Sequence, residues 1–142
     1  KGHRPLSFLI DTNVLSEIQK DPRADSAVSA WWDSTESSDL YLSVIVIGEI
    51  YRGIEKLILA DPDRGQVFLD WIQEVLKAFD GRILNVDLES AIIWGKLTSG
   101  RSLPLADAQL AATAISRNLI LITRNTHDIR DTGVRYLNPF EA

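Results

Sequence analysis

The residues of this sequence best suited to chemistry are carboxylates and an amide that follow apolar segments. Each stands where a predicted strand ends or where the next predicted helix begins, and the five are Asp11, Glu49, Asp107, Asn125 and Asp128. In an open parallel sheet the carboxyl ends of the strands share one edge, and ligands bind in the crevice beside that edge. We therefore expect these side chains to face a common crevice.

Carboxylates gathered in one crevice favour the binding of a cation. Two unneutralised carboxylates about 4 Å apart repel by about 4 kcal/mol at an effective dielectric constant near 20, so the cluster must be protonated, spread out or filled. The chain has no cysteine, and oxygen ligands select hard ions such as Mg²⁺ or Mn²⁺. Such ions activate a water molecule and shield the charge that develops on a phosphodiester during in-line displacement.

Each of these residues also has an explanation that involves no chemistry. Asp is a preferred helix N-cap, so Asp11 suits the start of the helix that follows it. Glu49 suits a surface ion pair with Arg52, three residues later on the same helix. Asp107 suits the dipole at the start of its helix. Asn125 and Asp128 suit a turn. Only their expected convergence on one edge favours the chemical interpretation over these local ones.

The framework that positions these residues is an alternation of apolar runs and helical patterns. Strands are predicted at residues 7–10, 40–46, 82–86 and 119–123, with a fifth candidate at 134–137. Helices are predicted at residues 14–20, 25–34, about 47–60, 64–79, 88–98 and 106–116. Strands that alternate with helices predict a parallel sheet covered on both faces. We expect an α/β fold: one three-layer α/β/α domain with a central, mostly five-stranded parallel sheet.

Length and composition limit the alternatives. The 142 residues suit a single domain over residues 1–142, with one hydrophobic core, and we expect residues 1–5 to be an appended or flexible segment. The net charge of −5 argues against a broad basic face for nucleic acid, because such affinity comes from neutralising phosphates. No apolar run approaches the roughly 18 residues of a membrane-spanning helix. We therefore expect a cytoplasmic protein without membrane contact.

Four segments carry the candidate residues in order along the chain. They are residues 10–15 (IDTNVL), 46–53 (VIGEIYRG), 105–111 (LADAQLA) and 123–128 (TRNTHD). In order and spacing they resemble the motifs of PIN-domain nucleases, and the nearest branch is the VapC-type toxins of bacterial toxin–antitoxin pairs. The resemblance extends from about Phe8 to Phe140. It therefore covers nearly the whole chain.

The resemblance implies a five-stranded parallel sheet and Mg²⁺- or Mn²⁺-dependent endonucleolytic cleavage of RNA. It also implies a homodimer and neutralisation by a small antitoxin protein, VapB-like and DNA-binding. The three core acids of the family fall on Asp11, Glu49 and Asp107. Where many members have a fourth acid this chain has Asn125, with Asp128 three residues later. Either residue completes the site, so one and two metal ions both remain open.

Two further groups of residues are predicted to assist the site. Thr12, Asn13 and Thr123 lie within the matched segments, where they either orient the carboxylates by hydrogen bonding or cap the backbone. Candidates for gripping the RNA backbone are basic residues whose alternative role is solvated surface charge, and they are Arg52, Lys96, Arg101 and Arg124.

Two other functions compete with metal-dependent hydrolysis. In an aspartyl-phosphate phosphotransfer domain Asp11 would become phosphorylated, but a phosphatase of this type needs a second Asp where the chain has Asn13. No Lys directly follows a later apolar strand either. A non-catalytic module would instead bind a partner through its apolar helices and the tryptophans Trp31, Trp32, Trp71 and Trp94.

Overall fold

The computed structural model describes residues 6–141, so the expectation for residues 1–5 lies outside the described residues. The strands are β1 (Phe8–Ile10), β2 (Leu40–Ser43), β3 (Ile83–Leu84), β4 (Ile120–Ile122) and β5 (Tyr136–Leu137). The α-helices are α1 (Thr12–Ile18), α2 (Ser26–Asp33), α3 (Val44–Ala60), α4 (Pro62–Ala78), α5 (Leu88–Thr98), α6 (Leu105–Arg117) and α7 (Thr126–Ile129). Single 3-10 turns cover Ser37–Asp39 and Pro139–Glu141.

The five strands form one sheet in the order β3-β2-β1-β4-β5. Every neighbouring pair is parallel, which confirms the predicted five-stranded parallel sheet. Right-handed crossovers between parallel strands put the connections β1 to β3 on one face of the sheet and the connection β3 to β4 on the other. The helices therefore cover both faces, as the predicted α/β/α layering requires.

The strand order reverses beside β1. From β1 the chain builds outward through β2 to β3 and then returns to add β4 on the other side of β1. In sheets of this kind ligands bind at the carboxyl ends of the strands where the order reverses. Ile10 pairs with Ile122 in the β1–β4 register, so the next residues, Asp11 and Thr123, emerge side by side at that point.

The hydrophobic core lies on both sides of β1 and β4. The strand residues Leu9, Ile10 and Ile122 are fully buried, which explains why these strands are apolar on both faces. On α6 a series of small residues is also fully buried, namely Ala108, Ala111, Ala112 and Ala114. Small side chains let α6 approach both α5 and β4, which it contacts. Within residues 6–141 no helix is both long and apolar enough to cross a membrane.

The second predicted strand is too long. It was expected at residues 40–46, but β2 ends at Ser43, whose Oγ accepts the N–H of Ile45 at 3.0 Å and caps α3. The β-branched residues that follow suit a strand by propensity. They are helical because Val46, Ile50 and Ile54, four residues apart, form one buried stripe. Glu49 consequently lies in the second turn of α3 and not in the opening turn.

Several other boundaries also differ from the predictions. Helix α4 begins at Pro62, two residues before the predicted start, since Pro suits the first turn of a helix. Helix α7 was not predicted, because Asn125 and Asp128 suited a turn after the fourth strand. Its four residues are held by the buried side chain of Ile129. This short helix carries Asp128 and therefore affects how that residue reaches the site.

Candidate active site

Asp11 is the most enclosed acid of the predicted cluster, with 6% of its surface exposed. Its Oδ1 accepts the N–H of Thr12 at 2.6 Å, and its Oδ2 accepts the hydroxyl of Thr123 at 2.7 Å. The amide of Asn13 also approaches Oδ2, at 3.5 Å. Asp11 is the N-cap of α1, so the local interpretation holds together with the location at the sheet edge. Both carboxylate oxygens are thus oriented by neighbouring donors.

A chain of hydrogen bonds connects Asp11 to Asp107. The Thr123 hydroxyl that donates to Asp11 accepts the N–H of Asn125 at 3.0 Å. The side-chain amide of Asn125 then donates to Oδ2 of Asp107 at 2.7 Å. Asp107 lies in the first turn of α6, as predicted. Side chains that follow β1 and β4 and one that begins α6 therefore meet in a single network.

Glu49 joins the same region through Thr12. The hydroxyl of Thr12 donates to Oε1 of Glu49 at 2.6 Å, while the N–H of Thr12 donates to Asp11. Within residues 6–141 Glu49 forms no ion pair, so the proposed surface pair with Arg52 is absent there. Thr12 thus connects Asp11 and Glu49, two carboxylates that are far apart in the sequence.

Burial and like charges raise the pKa of two of these acids. Burial is the largest cause for Asp11, and the charge of Glu49 adds to it, against the hydrogen bonds from Thr123 and Thr12, which lower the pKa. For Asp107, burial and the charges of Asp11, Asp128 and Glu49 raise the pKa to about 6, against the hydrogen bond from Asn125. The charges of neighbouring carboxylates therefore act on Asp11 and Asp107, and perturbed acids of this kind are typical of functional sites.

Asn125 and Asp128 act on Asp107 in different ways. Asn125 contacts the Asp107 carboxylate directly through its amide, whereas Asp128 acts through its charge. Asp128 lines a small cleft together with Arg101 and His127. Asn125 is therefore part of the hydrogen-bonded network, and Asp128 is an acidic neighbour beside it.

The donor chemistry of the cluster fits a hard divalent cation. Its candidate ligands are carboxylate and amide oxygens, which Mg²⁺ and Mn²⁺ prefer, and a cation would relieve the repulsion that raises the pKa of Asp107. Within residues 6–141, however, no three Asp, Glu or His side chains converge closely enough to hold a metal ion as they stand. Metal binding by Asp11, Glu49 and Asp107 stays a prediction.

The four basic candidates lie in different surroundings. Arg52 lines a groove that also contains Glu49, and Arg101 lines the cleft of Asp128. The guanidinium of Arg124 stacks 4.2 Å from the centre of the Phe140 ring. Lys96 is exposed in the last turn of α5. Arg52 thus shares a groove with one of the three core acids, and an RNA role for all four stays a prediction.

Three residues near the acids were missed by the sequence analysis. Buried Ser43 caps α3 and so sets the position of Glu49. His127 lines the cleft of Asp128, and Gln109 lines the groove of Glu49 and Arg52. Gln109 and His127 lie inside the segments at residues 105–111 and 123–128. Their place in these motifs was the available signal.

A second groove starts at Glu49 and runs between α1, α3 and α4. We call it the apolar groove; it has a volume of about 310 Å³ and is lined by Thr12, Ser16, Glu49, Ile50, Gly53, Ile54, Leu57, Phe68 and Trp71. The rings of Phe68 and Trp71 meet edge to face, with their centres 6.4 Å apart. No Lys or Arg of the described chain lines this groove. Its surface suits an apolar occupant.

Comparison with known proteins gives consistent matches over the length of the chain. The sequence profile described as the PIN domain matches residues 8–134. VapC ribonuclease Y4jK of Sinorhizobium fredii is 34% identical over 140 residues, which cover 94% of this chain and 98% of that protein.

Two solved structures share the fold. FitAcB from Neisseria gonorrhoeae has a TM-score of 0.86 at 33% identity, and the match covers 95% of this chain and 99% of that chain. A toxin–antitoxin complex from Klebsiella pneumoniae has a TM-score of 0.72 at 26% identity, covering 94% and 98%. The likeness therefore extends over almost the full length of this chain and of its relatives.

Proposed function

The chain belongs to the PIN domain family, and we propose that it is a metal-dependent endoribonuclease, the toxin of a toxin–antitoxin pair. The observation that carries the proposal is the hydrogen-bonded network of Asp11, Thr123, Asn125 and Asp107, with Glu49 attached through Thr12. These residues meet where the strand order reverses, which is the preferred location for a ligand in such a sheet. A relative that matches nearly the whole chain is a VapC ribonuclease.

In the proposed reaction each residue has a role that follows from its contacts. Asp11, Glu49 and Asp107 hold the cation, and Asn125 or Asp128 completes the site. Thr12 and Thr123 donate to the carboxylates and so preserve their orientation before RNA arrives. Asn125 does the same for Asp107. When bound there, Mg²⁺ or Mn²⁺ supplies an activated water for in-line attack on phosphorus and offsets the charge that develops on the phosphate.

Phosphorylation of Asp11 is the less suitable alternative. An aspartate-nucleophile phosphatase needs a second Asp where this chain has Asn13. Asp11 is instead connected through hydrogen bonds to other carboxylates of the cluster. A connected set of carboxylates suits hydrolysis assisted by a cation better than an acyl-phosphate on one of them.

The test of this function is cleavage of a labelled single-stranded RNA by the purified protein with added Mg²⁺ or Mn²⁺. Asp11→Asn and Asp107→Asn should each lower the rate by at least about 100-fold, because each removes several kcal/mol of charge stabilisation. Asp33→Asn is the matched control, since Asp33 is an exposed acid on α2. Wild-type protein that cuts no RNA but binds a protein partner tightly would favour the non-catalytic module instead.

Thermal unfolding provides a second measurement of metal binding. A divalent cation at about 100 times its dissociation constant should stabilise the wild-type fold by about 2.7 kcal/mol. The Asp11→Asn/Asp107→Asn double variant should lose this stabilisation. An equal rise in melting temperature in both proteins would mean that the ion binds elsewhere.

The proposed protein partner is a small VapB-like, DNA-binding antitoxin. A structure related to this fold is a toxin–antitoxin complex, and the apolar groove offers Leu57, Phe68 and Trp71 to an amphipathic segment. Because the groove begins at Glu49, a segment bound in it would cover one of the acids. Inhibition would follow from simple exclusion of RNA.

A second copy of the chain is the other proposed partner. Leu88 and Ile92 are 77% and 51% exposed on α5, and residues four apart on a helix share one face. Covering this face in a homodimer would remove apolar surface from water. Light scattering of the purified protein measures the assembly directly.

A further inference from the structure

A further groove lies between α3 and α6 and also reaches the acidic cluster at Glu49. We call it the α3–α6 groove; its volume is about 510 Å³ and its lining consists of Val44, Ile45, Gly48, Glu49, Arg52, Pro104, Leu105, Ala106 and Gln109. The two helices that form it contact each other, and Asp107 lies in the first turn of one of them. Glu49 lines both this groove and the apolar groove. A chain of nucleotides that passes the acids therefore has two surfaces on which to continue.

Charge distinguishes the two grooves. Among the described residues the apolar groove has no Lys or Arg in its lining, whereas the α3–α6 groove has the exposed Arg52. Binding of a nucleic-acid strand depends on neutralising its phosphates with cationic side chains. On this ground a polyanion is better accommodated between α3 and α6 than between α3 and α4.

The remaining lining of the α3–α6 groove suits a nucleobase. Val44 and Leu105 are 38% and 59% exposed, and they offer an apolar surface to the flat face of a base. Gln109 adds an amide, which pairs a donor and an acceptor with the edge of a base, as Gln does with adenine. Gly48 leaves the groove open, since a Cβ added there meets no atom within 4 Å.

We propose that the α3–α6 groove binds the nucleotide next to the scissile phosphate, with Arg52 on its phosphate and Gln109 on the edge of its base. Gln109 is then a specificity-determining residue and Arg52 an RNA-binding residue. This inference rests on the proposed ribonuclease function, because it concerns the RNA that the acidic cluster cleaves.

The first experiment fills the groove. Gly48→Leu adds a side chain where nothing obstructs it, and Leu is a better helix former than Gly, so we expect the variant to fold. Gly53→Leu is the matched control: it lies on the same helix, has the same open space and lines only the apolar groove. With a single-stranded 12-nucleotide RNA of random sequence and Mn²⁺, Gly48→Leu should raise KM at least about tenfold, and Gly53→Leu should leave KM unchanged.

The second experiment measures base preference. Cleavage ends of the same random RNA are sequenced for the wild type, Gln109→Leu and the control Gln73→Leu, whose Gln is exposed on α4. A side chain that contacts a base with two hydrogen bonds discriminates by about tenfold or more. Gln109→Leu should therefore remove the preference at one position beside the cut, and Gln73→Leu should retain it.

The outcomes separate this inference from the proposed function. Absence of RNA cleavage by the wild type would overturn the proposed function and this inference with it. Cleavage with an unchanged base profile in Gln109→Leu, or with a wild-type KM in folded Gly48→Leu, would overturn the inference alone. A lower molar mass of Gly48→Leu in light scattering would also overturn it, because the groove would then be an interface between two copies of the chain.

Discussion

The acidic edge and the apolar groove adjoin at Thr12 and Glu49, yet they are built in opposite ways. At the edge, polar groups that follow β1 and β4 meet polar groups of α1, α3 and α6 through hydrogen bonds between segments that are far apart in sequence. The groove is formed largely by α3 and α4, which follow each other along the chain and pack together. One region therefore depends on long-range register and the other on a local helical pair.

Because of this difference, the two regions tolerate different kinds of substitution. The acidic edge depends on charge and on the direction of each hydrogen bond, so the loss of one donor affects a carboxylate without changing the shape of the surface. The apolar groove depends on shape and apolar area, so added volume blocks it while the carboxylates keep their donors. Substitutions in the two regions should therefore change different properties of the protein.

Filling the apolar groove should have a large effect on partner binding. Gly53→Leu projects a side chain into open space within the groove, and loss of a central contact typically costs about 2 kcal/mol or more of binding energy. The dissociation constant for the proposed VapB-like partner should rise at least about 30-fold, without a change in RNA cleavage. Calorimetric titration measures it, with Gly48→Leu, at an open position on the same helix that does not line the apolar groove, as the control.

Equal weakening by the two glycine variants would mean that the partner does not occupy the apolar groove. A loss of cleavage in Gly53→Leu would show that the two regions are not independent.

A smaller effect is expected from removing one donor at the acidic edge. Thr123→Val keeps the side-chain volume but removes the hydroxyl that donates to Asp11, and loss of such an orienting group typically costs 10- to 100-fold in metal affinity or activity. Cleavage should fall about tenfold, with partner affinity retained. Thr113→Val is the control, because that buried hydroxyl donates to the backbone of its own helix. Equal activity losses in both variants would indicate a general packing defect.

The smallest effect is a pH dependence of stability in the metal-free protein. The pKa of Asp107 is about 6 in the folded chain against an ordinary value of 3.8, so the folded state binds more protons between these values. The contribution of Asp107 to the free energy of unfolding consequently falls as the pH rises between its ordinary pKa and its pKa in the folded chain. In EDTA, Asp107→Asn should melt at a higher temperature than the wild type at pH 7, and the difference should shrink towards pH 4.

Asp87 offers a control of opposite sign. The N–H of Ser90 lowers the pKa of this helix cap below its ordinary value of 3.8, so its contribution is present above that pH and is lost as pH falls. Asp87→Asn should therefore melt below the wild type at pH 7, with a difference that narrows in acid. The same pH trend in both variants would contradict the assigned direction for Asp107.

Local patterns predicted the framework well because they depend on near neighbours. The apolar run before Asp11 and the run before Thr123 are strands, and the helix at residues 88–98 has the predicted bounds. The pattern was misleading at residues 44–46, where β-branched residues suit both a strand and a buried helical stripe. Only the cap at Ser43 and the burial of Val46 distinguish the two. Those contacts are made by the folded chain and are absent from the local pattern.

Residue types and local patterns were enough to predict an oxygen-rich candidate site, the α/β alternation and acids gathered at the ends of strands. Packing of the folded chain was needed to show that Thr123 donates to Asp11, that Asn125 donates to Asp107 while Asp128 acts on it through charge, and that Glu49 lies between two grooves of different character. The two kinds of feature depend on interactions of different range along the chain. Periodicity and strand ends follow from adjacent residues, whereas a hydrogen bond of under 3 Å depends on the packing of segments far apart in the chain.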